Sequence, residues 1–407
     1  MKRTKKFFAD FCRYGGPMIN PFNKPLEHLE EEDLNKLIDE EISEGLHVEY
    51  KEDFPTHLGK IVASFANTFG GWIIIGANAR NPRNVPTSFP GISMTRDPKD
   101  RFRNICRDHI SPVPIFSSKL IKKSSDPDRG ILVVRVDESA YPPHITKDGR
   151  IYRRNMEGSD PLAETDRHIL DRLFEKSVHN KNEVKAFVNR KLQKTAAEEV
   201  LFRVVCCPVP LNLDLIKPFF VPERITRLKK MAQNIWKHTL PKSIRFHPEG
   251  FSFELENHRL EILRSGVITY SCPIPTSLKQ LNRQSEPLEL DFLDYRALQM
   301  ALLRTLKLTR EVYRFAGYMG LFIPKVSLEN ILNKGLDDPK FFDFYLRFPQ
   351  PQCTYSDIIL PYGFSPVEVK EMENSRQIAD PLLGYIYRCF GFEALDTHSL
   401  ARGELSR

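Results

Sequence analysis

Glu44-Gly45-Leu46-His47-Val48-Glu49-Tyr50-Lys51 and, a helix further on, Ala63-Ser64-Phe65-Ala66-Asn67-Thr68-Phe69-Gly70-Gly71-Trp72-Ile73-Ile74-Ile75-Gly76 are the stretches whose reading decides the fold. From His47 to Lys51 the residues alternate in polarity, which predicts a half-buried strand. Pro55-Thr56 opens a helix whose Leu58, Ile61, Val62 and Phe65 form an apolar stripe at helical spacing, running to Thr68. Gly70-Gly71 stops that helix, and Trp72-Ile73-Ile74-Ile75 is a short continuous apolar run of the kind found in central strands. Upstream, Leu34, Leu37, Ile38 and Ile42 recur at helical spacing among acids, which predicts an amphipathic helix from Glu30 to Ser43, ended by Gly45.

Downstream, a Pro- and Arg-rich loop (Asn81 to Pro98) leads into a basic helix, Lys99 to His109, a break at Ser111-Pro112, and strands at Phe116 to Lys122 and Ile131 to Val136. The turn between those strands is marked by Ser125-Asp126-Pro127-Asp128-Arg129-Gly130. Arg150 to Asn155 reads as an edge strand, Ala163 to Glu175 as a helix, and the polar stretch Lys176 to Glu183 as a domain boundary. The chain thus reads as a leader (1–28), a first domain (29–177) and a second domain (184–407). In the second, Phe251 to Leu255, Leu260 to Arg264 and Val267 to Ser271 form an antiparallel meander, with Asn257-His258 and Ser265-Gly266 as turns. A long helix follows, with Leu298, Leu302, Val312 and Phe315 on one side and Arg296, Lys307, Arg310 and Arg314 on the other. Leu382 to Phe392 reads as a last packed helix. The expected fold class is α+β throughout.

A chain of 407 residues exceeds one ordinary hydrophobic core, which agrees with that division. No run of about 18 uncharged apolar residues is present, so neither a membrane span nor a secretory signal is expected, and a cytoplasmic location is. Seven cysteines, thinly spread, do not resemble a disulfide framework. Cys206-Cys207 is the tight pair among them, read as two buried thiols; zinc there would need further ligands, and His179 and His238 are the nearest histidines. The net charge of +7 is mild for this length, but it is unevenly placed. Met1 to Asp53 holds 8 Lys/Arg against 13 Asp/Glu, whereas Phe54 to Arg135 holds 13 against 5.

The ordered set of acid pair, lysine, helix, Asn-Thr-x-Gly-Gly turn and apolar strand resembles the Schlafen AlbA family. Ser64 stands where that family more often has alanine, while Phe65, Ala66, Asn67, Thr68, Gly70 and Gly71 match its pattern. Ile110-Ser111-Pro112 and Ile151-Tyr152-Arg153-Arg154-Asn155 look like its later landmarks. The resemblance covers about Leu29 to Ser177 and implies a mixed sheet with helices that handles nucleic acid. Spacing alone is not diagnostic, since Glu256 and Glu261 repeat the acid interval in the meander.

Two carboxylates brought together repel unless a cation or a shared proton lies between them. Glu44 and Glu49 are therefore candidate ligands for a Mg²⁺ or Mn²⁺ ion that would activate water and offset phosphodiester charge, with Lys51 beside them. The bland alternative is a pair of surface charges with a solvated lysine. In nuclease-active members a third acid follows the Gly-Gly strand, and here the equivalent position looks to be Asn78, a poorer ligand; Asp137 or Glu138 are the acids that can restore that charge. Lys99, Arg101, Arg103, Arg107, Lys119, Lys122, Lys123, Arg153 and Arg154 are the candidate phosphate-binding residues. Gly71 to Gly76 has the outer spacing of a phosphate loop but lacks its Lys and Ser/Thr, so no ATP site is expected. The reading is a nucleic-acid-binding protein for RNA or DNA, a regulator or defence component. The alternatives are a divalent-metal-dependent ribonuclease acting on structured RNA such as tRNA, and a protein-interaction scaffold. Animal Schlafen cores pair two related lobes and one copy is readable here, so the resemblance also implies a homodimer.

Overall fold

The computed structural model describes residues 20–155, 160–193, 199–211, 214–216, 218–236, 244–255, 258–281, 287–338, 353–360 and 366–392. Residues 1–19 of the expected leader, His238, Glu256 and Asn257 lie outside the described residues. The chain divides into two units, Met1–Lys181 and Asn182–Arg407. Each mixes helices and sheets, an α+β architecture.

The first unit contains α1 (Asn35–Asp39), β1 (Val48–Lys51), α2 (Leu58–Ala66), β2 (Gly71–Ile75), β3 (Ile92–Ser93), α3 (Pro98–His109), β4 (Ile110–Ser111), β5 (Phe116–Lys122), β6 (Arg129–Val136), β7 (Ile145–Thr146), β8 (Tyr152–Arg153) and β9 (Leu162–Ala163). Its main sheet is mixed, in the order β1-β2-β6-β3 with β5 on the other side of β6. β1 runs parallel to β2, with Glu49 opposite Ile73 and Lys51 opposite Ile75. β2, β3 and β5 all run antiparallel to β6. Because strand side chains alternate between faces, Val48, Tyr50, Trp72 and Ile74 share one face while Glu49, Lys51, Ile73 and Ile75 share the other.

The first of those faces is covered by the segment expected to be a leader. Phe22, Leu26 and Leu29 are buried in one cluster with Leu34, Leu37, Val48, Tyr50, Trp72 and Ile74, and the Phe22 ring meets Trp72 edge-on at 5.3 Å. Phe22 and Leu26 of that segment are therefore core, because the sheet would otherwise expose its tryptophan face. The helix expected over Glu30 to Ser43 is shorter, a 3-10 turn at Glu31–Leu34 followed by α1. Glu41 takes a left-handed φ of 50°. Its N–H and that of Ile42 close onto the carbonyls of Ile38 and Leu37, so the helix stops at Asp39, well before Gly45.

Helix α2 is buried on nearly every side and ends as its Gly-Gly signal requires. Gly70 has φ +72°, and a Cβ there would lie 2.7 Å from both the Glu138 amide nitrogen and the Val136 carbonyl oxygen. At Gly71 a Cβ would meet the Phe65 ring at 2.3 Å. The turn from helix into central strand is tight enough that side chains are excluded at both positions. Helix α3 begins on an Asp97 cap that accepts the Lys99 N–H at 2.8 Å, and it buries Phe102 and Cys106.

Helix α4 (Arg167–Lys191) does not end at Glu175 as expected but runs through the polar stretch, so the unit boundary falls inside a helix. Polarity there marks a solvated helix face, which the sequence pattern does not distinguish from a linker.

The second unit contains β10 (Leu201–Val209), α5 (Pro222–Trp236), β11 (Ile244–His247), β12 (Gly250–Leu255), β13 (His258–Leu263), β14 (Ile268–Pro273), β15 (Thr276–Leu281), β16 (Leu288–Asp294), α6 (Tyr295–Ala316), β17 (Leu321–Glu329), β18 (Lys334–Asp337), β19 (Asp357–Leu360), β20 (Val367–Glu368) and α7 (Ser375–Cys389). The expected meander is β12-β13-β14, extended into an antiparallel sheet ordered β11-β12-β13-β14-β10-β17-β19, with β20 also on β17. The expected long helix is α6, with Leu298, Leu302 and Val312 fully buried. Arg296, Lys307 and Arg314 are exposed on its other side. Phe315 is half-buried beneath the guanidinium groups of Arg224 and Arg227. Cys206 and Cys207 are buried in β10, where burial pushes the Cys206 thiol up to about 12. Among the described residues no helix is long and apolar enough to cross a membrane.

Candidate functional site

Glu44, Glu49 and Lys51 do converge. The sequence between them makes a tight loop, with the Gly45 N–H bonded to the Val48 carbonyl at 3.0 Å. Glu44 reaches back to the strand, where its Oε1 accepts the Tyr50 N–H at 2.8 Å. That satisfies an edge donor of β1. Lys51 Nζ lies between the two acids, 2.5 Å from Glu49 Oε1 and 3.4 Å from Glu44 Oε1. The Glu44 carboxyl is pushed above its ordinary value, first by burial and then by the neighbouring Glu49 charge, with Lys51 and the Tyr50 N–H pulling the other way.

The second oxygen of Glu49 is held by Arg154, at 2.6 Å. Arg154 was expected on a nucleic-acid surface; its side chain is instead 0% exposed and that of Glu49 is 3% exposed. The guanidinium also donates to the Gly45 carbonyl at 2.7 Å and lies over the Phe65 ring at 4.3 Å. A charge with no exposure cannot meet phosphate without unfolding its surroundings, so Arg154 belongs to the frame of the site.

The Asn-Thr-x-Gly-Gly signature is the device that brings Arg154 there. Asn67 Nδ2 donates to the carbonyls of His144 and Tyr152 at 2.9 and 3.0 Å, and its Oδ1 accepts the His144 N–H at 2.7 Å. Thr68 Oγ1 accepts the Arg154 N–H at 3.0 Å while donating to the Ser64 carbonyl at 2.7 Å. Ser64, the departure from the family pattern, is buried with its hydroxyl satisfied by the Ile61 carbonyl at 2.8 Å. Asn67 and Thr68 thus pin the strand carrying Tyr152 and Arg154 against the end of α2. His144 itself is buried, with Nδ1 2.5 Å from the Pro112 carbonyl, and burial pushes its imidazole down to about 4. His47, also buried, is held low mainly by burial.

The other expected positions have partners of their own. Asn78 Oδ1 accepts the Arg80 N–H at 3.2 Å in a local turn. Asp137 pairs with Arg135 at 3.0 Å and Glu138 with Lys176 at 2.5 Å. Glu261 is buried against Lys191 at 2.7 Å, so the repeated spacing in the meander marks a second internally neutralised carboxylate. Among the described residues no group of three or more His, Cys, Asp or Glu could hold a metal ion. Three of the four carboxylate oxygens of Glu44 and Glu49 already serve Lys51, Arg154 or a backbone N–H. As arranged, this donor set does not fit Mg²⁺ or Mn²⁺, which need about six oxygen ligands with little competing positive charge.

The basic residues sort by role. Lys119 Nζ bonds the Glu27 carbonyl at 2.8 Å. Lys123 Nζ bonds the Phe89 carbonyl at 2.7 Å and lies 3.6 Å from Glu31, so both lysines fasten the 20–34 segment to β5. Arg153 is paired with Glu164 at 2.8 Å. Lys122 is exposed. On α3, Lys99, Arg103 and Arg107 fall four residues apart, one row beside the buried Phe102 and Cys106. The Arg103 and Arg107 side chains are each 40% exposed and, among the described residues, pair with exposed acids of the same helix, Asp100 and Asp108. Arg101 is 52% exposed, 3.4 Å from Asp53 and stacked over Phe54 at 4.3 Å.

Residues 44–163, from Glu44 through the end of β9, match the family model described as Schlafen, AlbA_2. No curated protein matches the chain. Among solved structures, it is similar to one described as the N-terminal domain of a "putative ATP-dependent DNA helicase RecG-related protein" from Nitrosomonas europaea, at 21% identity and a TM-score of 0.24, covering 33% of this chain and 95% of that one. It is also similar to the DIP2311 protein from Corynebacterium diphtheriae, at 14% identity and a TM-score of 0.21, covering 47% of this chain and 29% of that one.

Removing one partner of a buried ion pair leaves an uncompensated charge. Arg154→Met and Glu49→Gln are each expected to cost about 3–5 kcal/mol in urea unfolding, with the double variant costing clearly less than their sum. Additive losses would contradict the pairing. A histidine held down at about 4 lends stability that is complete above the unfolded value of 6.5 and is lost as the pH falls from there toward 4. The stability difference between wild type and His144→Asn is therefore expected to shrink by about 3 kcal/mol over that range; a constant difference would contradict it.

Proposed function

We propose that this chain, through its Schlafen AlbA_2 domain, is a nucleic-acid-binding protein that holds the phosphate backbone by the half-exposed basic row of α3. The observation that carries this reading is the arrangement of Lys99, Arg103 and Arg107 on one face of a capped helix, the two arginines matched, among the described residues, by exposed acids. Exposed pairs of that kind contribute about 0–1 kcal/mol, so phosphate can displace the acids at little cost. Each displacement also releases condensed counterions from the nucleic acid, which drives association at low salt. Arg101 and Lys122 extend the same chemistry. A regulator or defence component that senses or sequesters RNA or DNA is the role that follows.

Binding is favoured over hydrolysis by the acid pair itself. Glu44 and Glu49 are neutralised by the chain's own Lys51 and Arg154, and a cleaving metal would have to displace a lysine from between them. The carboxylates then act as positioning groups that order the loop from Glu44 to Lys51. In the two-lobed arrangement that the family resemblance implies, a second copy would complete the groove.

Binding to tRNA and to single-stranded DNA, measured by fluorescence anisotropy over a series of salt concentrations, is expected to weaken linearly on a log–log scale. The Arg103→Ala/Arg107→Ala variant is expected to bind both more weakly and to lower the slope by about 1–2 units. Salt-independent binding, or an unchanged slope in that variant, would overturn the proposal.

A further inference from the structure

The second unit contains a cavity of about 600 Å³, in the range of small-molecule sites. Its lining includes Ala297, Met300 and Ala301 from the first half of α6, and Pro273, Ile274 and Pro275 from the end of β14 and the residues after it. These residues are apolar, and Met300 is 44% exposed, which leaves its polarizable thioether available to a flat ring. Trp236 and Tyr270 also line the cavity, their rings 5.1 Å apart and edge-to-face.

Polar groups gather on the same lining. Arg304 lies one helical turn beyond Met300, half-buried, and acts electrostatically on the Tyr270 hydroxyl. Lys334 is held by Asp291 at 2.6 Å, and His258 Nδ1 is 3.3 Å from the Tyr270 hydroxyl. Among the described lining residues Glu199 is the one acid, against the two cations Arg304 and Lys334. An apolar lining that also carries Arg304, Lys334 and a hydrogen-bonding histidine–tyrosine pair suits a ligand that combines a planar ring with an anionic group.

We propose that this cavity binds a nucleoside monophosphate, its base between Met300 and the Pro273–Pro275 segment and its phosphate on Arg304 with Lys334 behind. Such a group arrives either as a free nucleotide or as the phosphorylated end of a strand, and the chemistry at Arg304 is the same for both. The site is independent of the basic row of α3 and stands or falls without it.

Isothermal titration calorimetry of the full chain with adenosine monophosphate is expected to give saturable binding. Adenosine and inorganic phosphate alone each bind more weakly, because each engages one part of the lining. Arg304→Gln is expected to weaken adenosine monophosphate by about tenfold or more, and Met300→Trp to block it by filling the slot. Both changes fall at half-buried or exposed positions, and circular dichroism checks that each variant is folded. A 5′-phosphorylated oligonucleotide that binds more tightly than adenosine monophosphate, with the same dependence on Arg304, upholds the site and identifies a strand end as its ligand. Weaker oligonucleotide binding upholds it for the free nucleotide. No saturable heat at millimolar adenosine monophosphate, or binding unchanged in both folded variants, overturns the proposal.

Discussion

The first unit depends on one buried contact, the guanidinium of Arg154 against the carboxylate of Glu49. Neither charge is tolerable alone in that position, since the cost of desolvating each is several kcal/mol. The surrounding features follow from the need to bring them together. The Gly-Gly turn lets β2 start directly beneath α2, which sets β1 beside it and fixes Glu49 on the face that meets Phe65. Asn67 and Thr68, at the end of the same helix, bind the backbone around Tyr152 and Arg154 from more than 70 residues away. A motif that reads in sequence as a turn is in three dimensions a clamp.

That contact also decides what the acid pair can do. Two carboxylates drawn together need positive charge, and here the chain supplies it twice, through Lys51 from the same strand and Arg154 from a distant one. Three of the four oxygens that would ligate a metal are thereby engaged, and Asn78 turns its amide oxygen to its own loop. The acids order a loop and a sheet edge, while on α3 Arg103 and Arg107 pair with exposed acids of their own helix, contacts of the kind that contribute about 0–1 kcal/mol.

Much of the fold was legible in the sequence because it is written in local periodicity. The strand at Val48–Lys51, the helix through Leu58–Ala66, the central strand, the meander and the long helix of the second unit all follow from apolar spacing and glycine signals. The convergence of Glu44, Glu49 and Lys51 was legible for the same reason, since it spans eight residues. What was not legible depends on long-range pairing. Arg154 and Lys119 read as phosphate ligands because a basic residue near a basic segment carries no mark of its partner, Glu49 in one case and the Glu27 carbonyl in the other. His144 had no local signal at all. Phe22 and Leu26 were taken for a leader because their Gly/Pro/Asn-rich setting hides how much of the tryptophan face needs cover. Helix α4 was ended early because a solvated helix and a linker share a composition.

We propose that the acid pair is structural and that the domain binds nucleic acid without cutting it. The most direct measurement is the fate of tRNA incubated with the full chain and Mn²⁺ and resolved on a denaturing gel beside a native gel. The account predicts intact tRNA on the first and a retarded complex on the second. Cleavage by the wild-type chain that disappears in Glu44→Gln and in Glu49→Gln would contradict it.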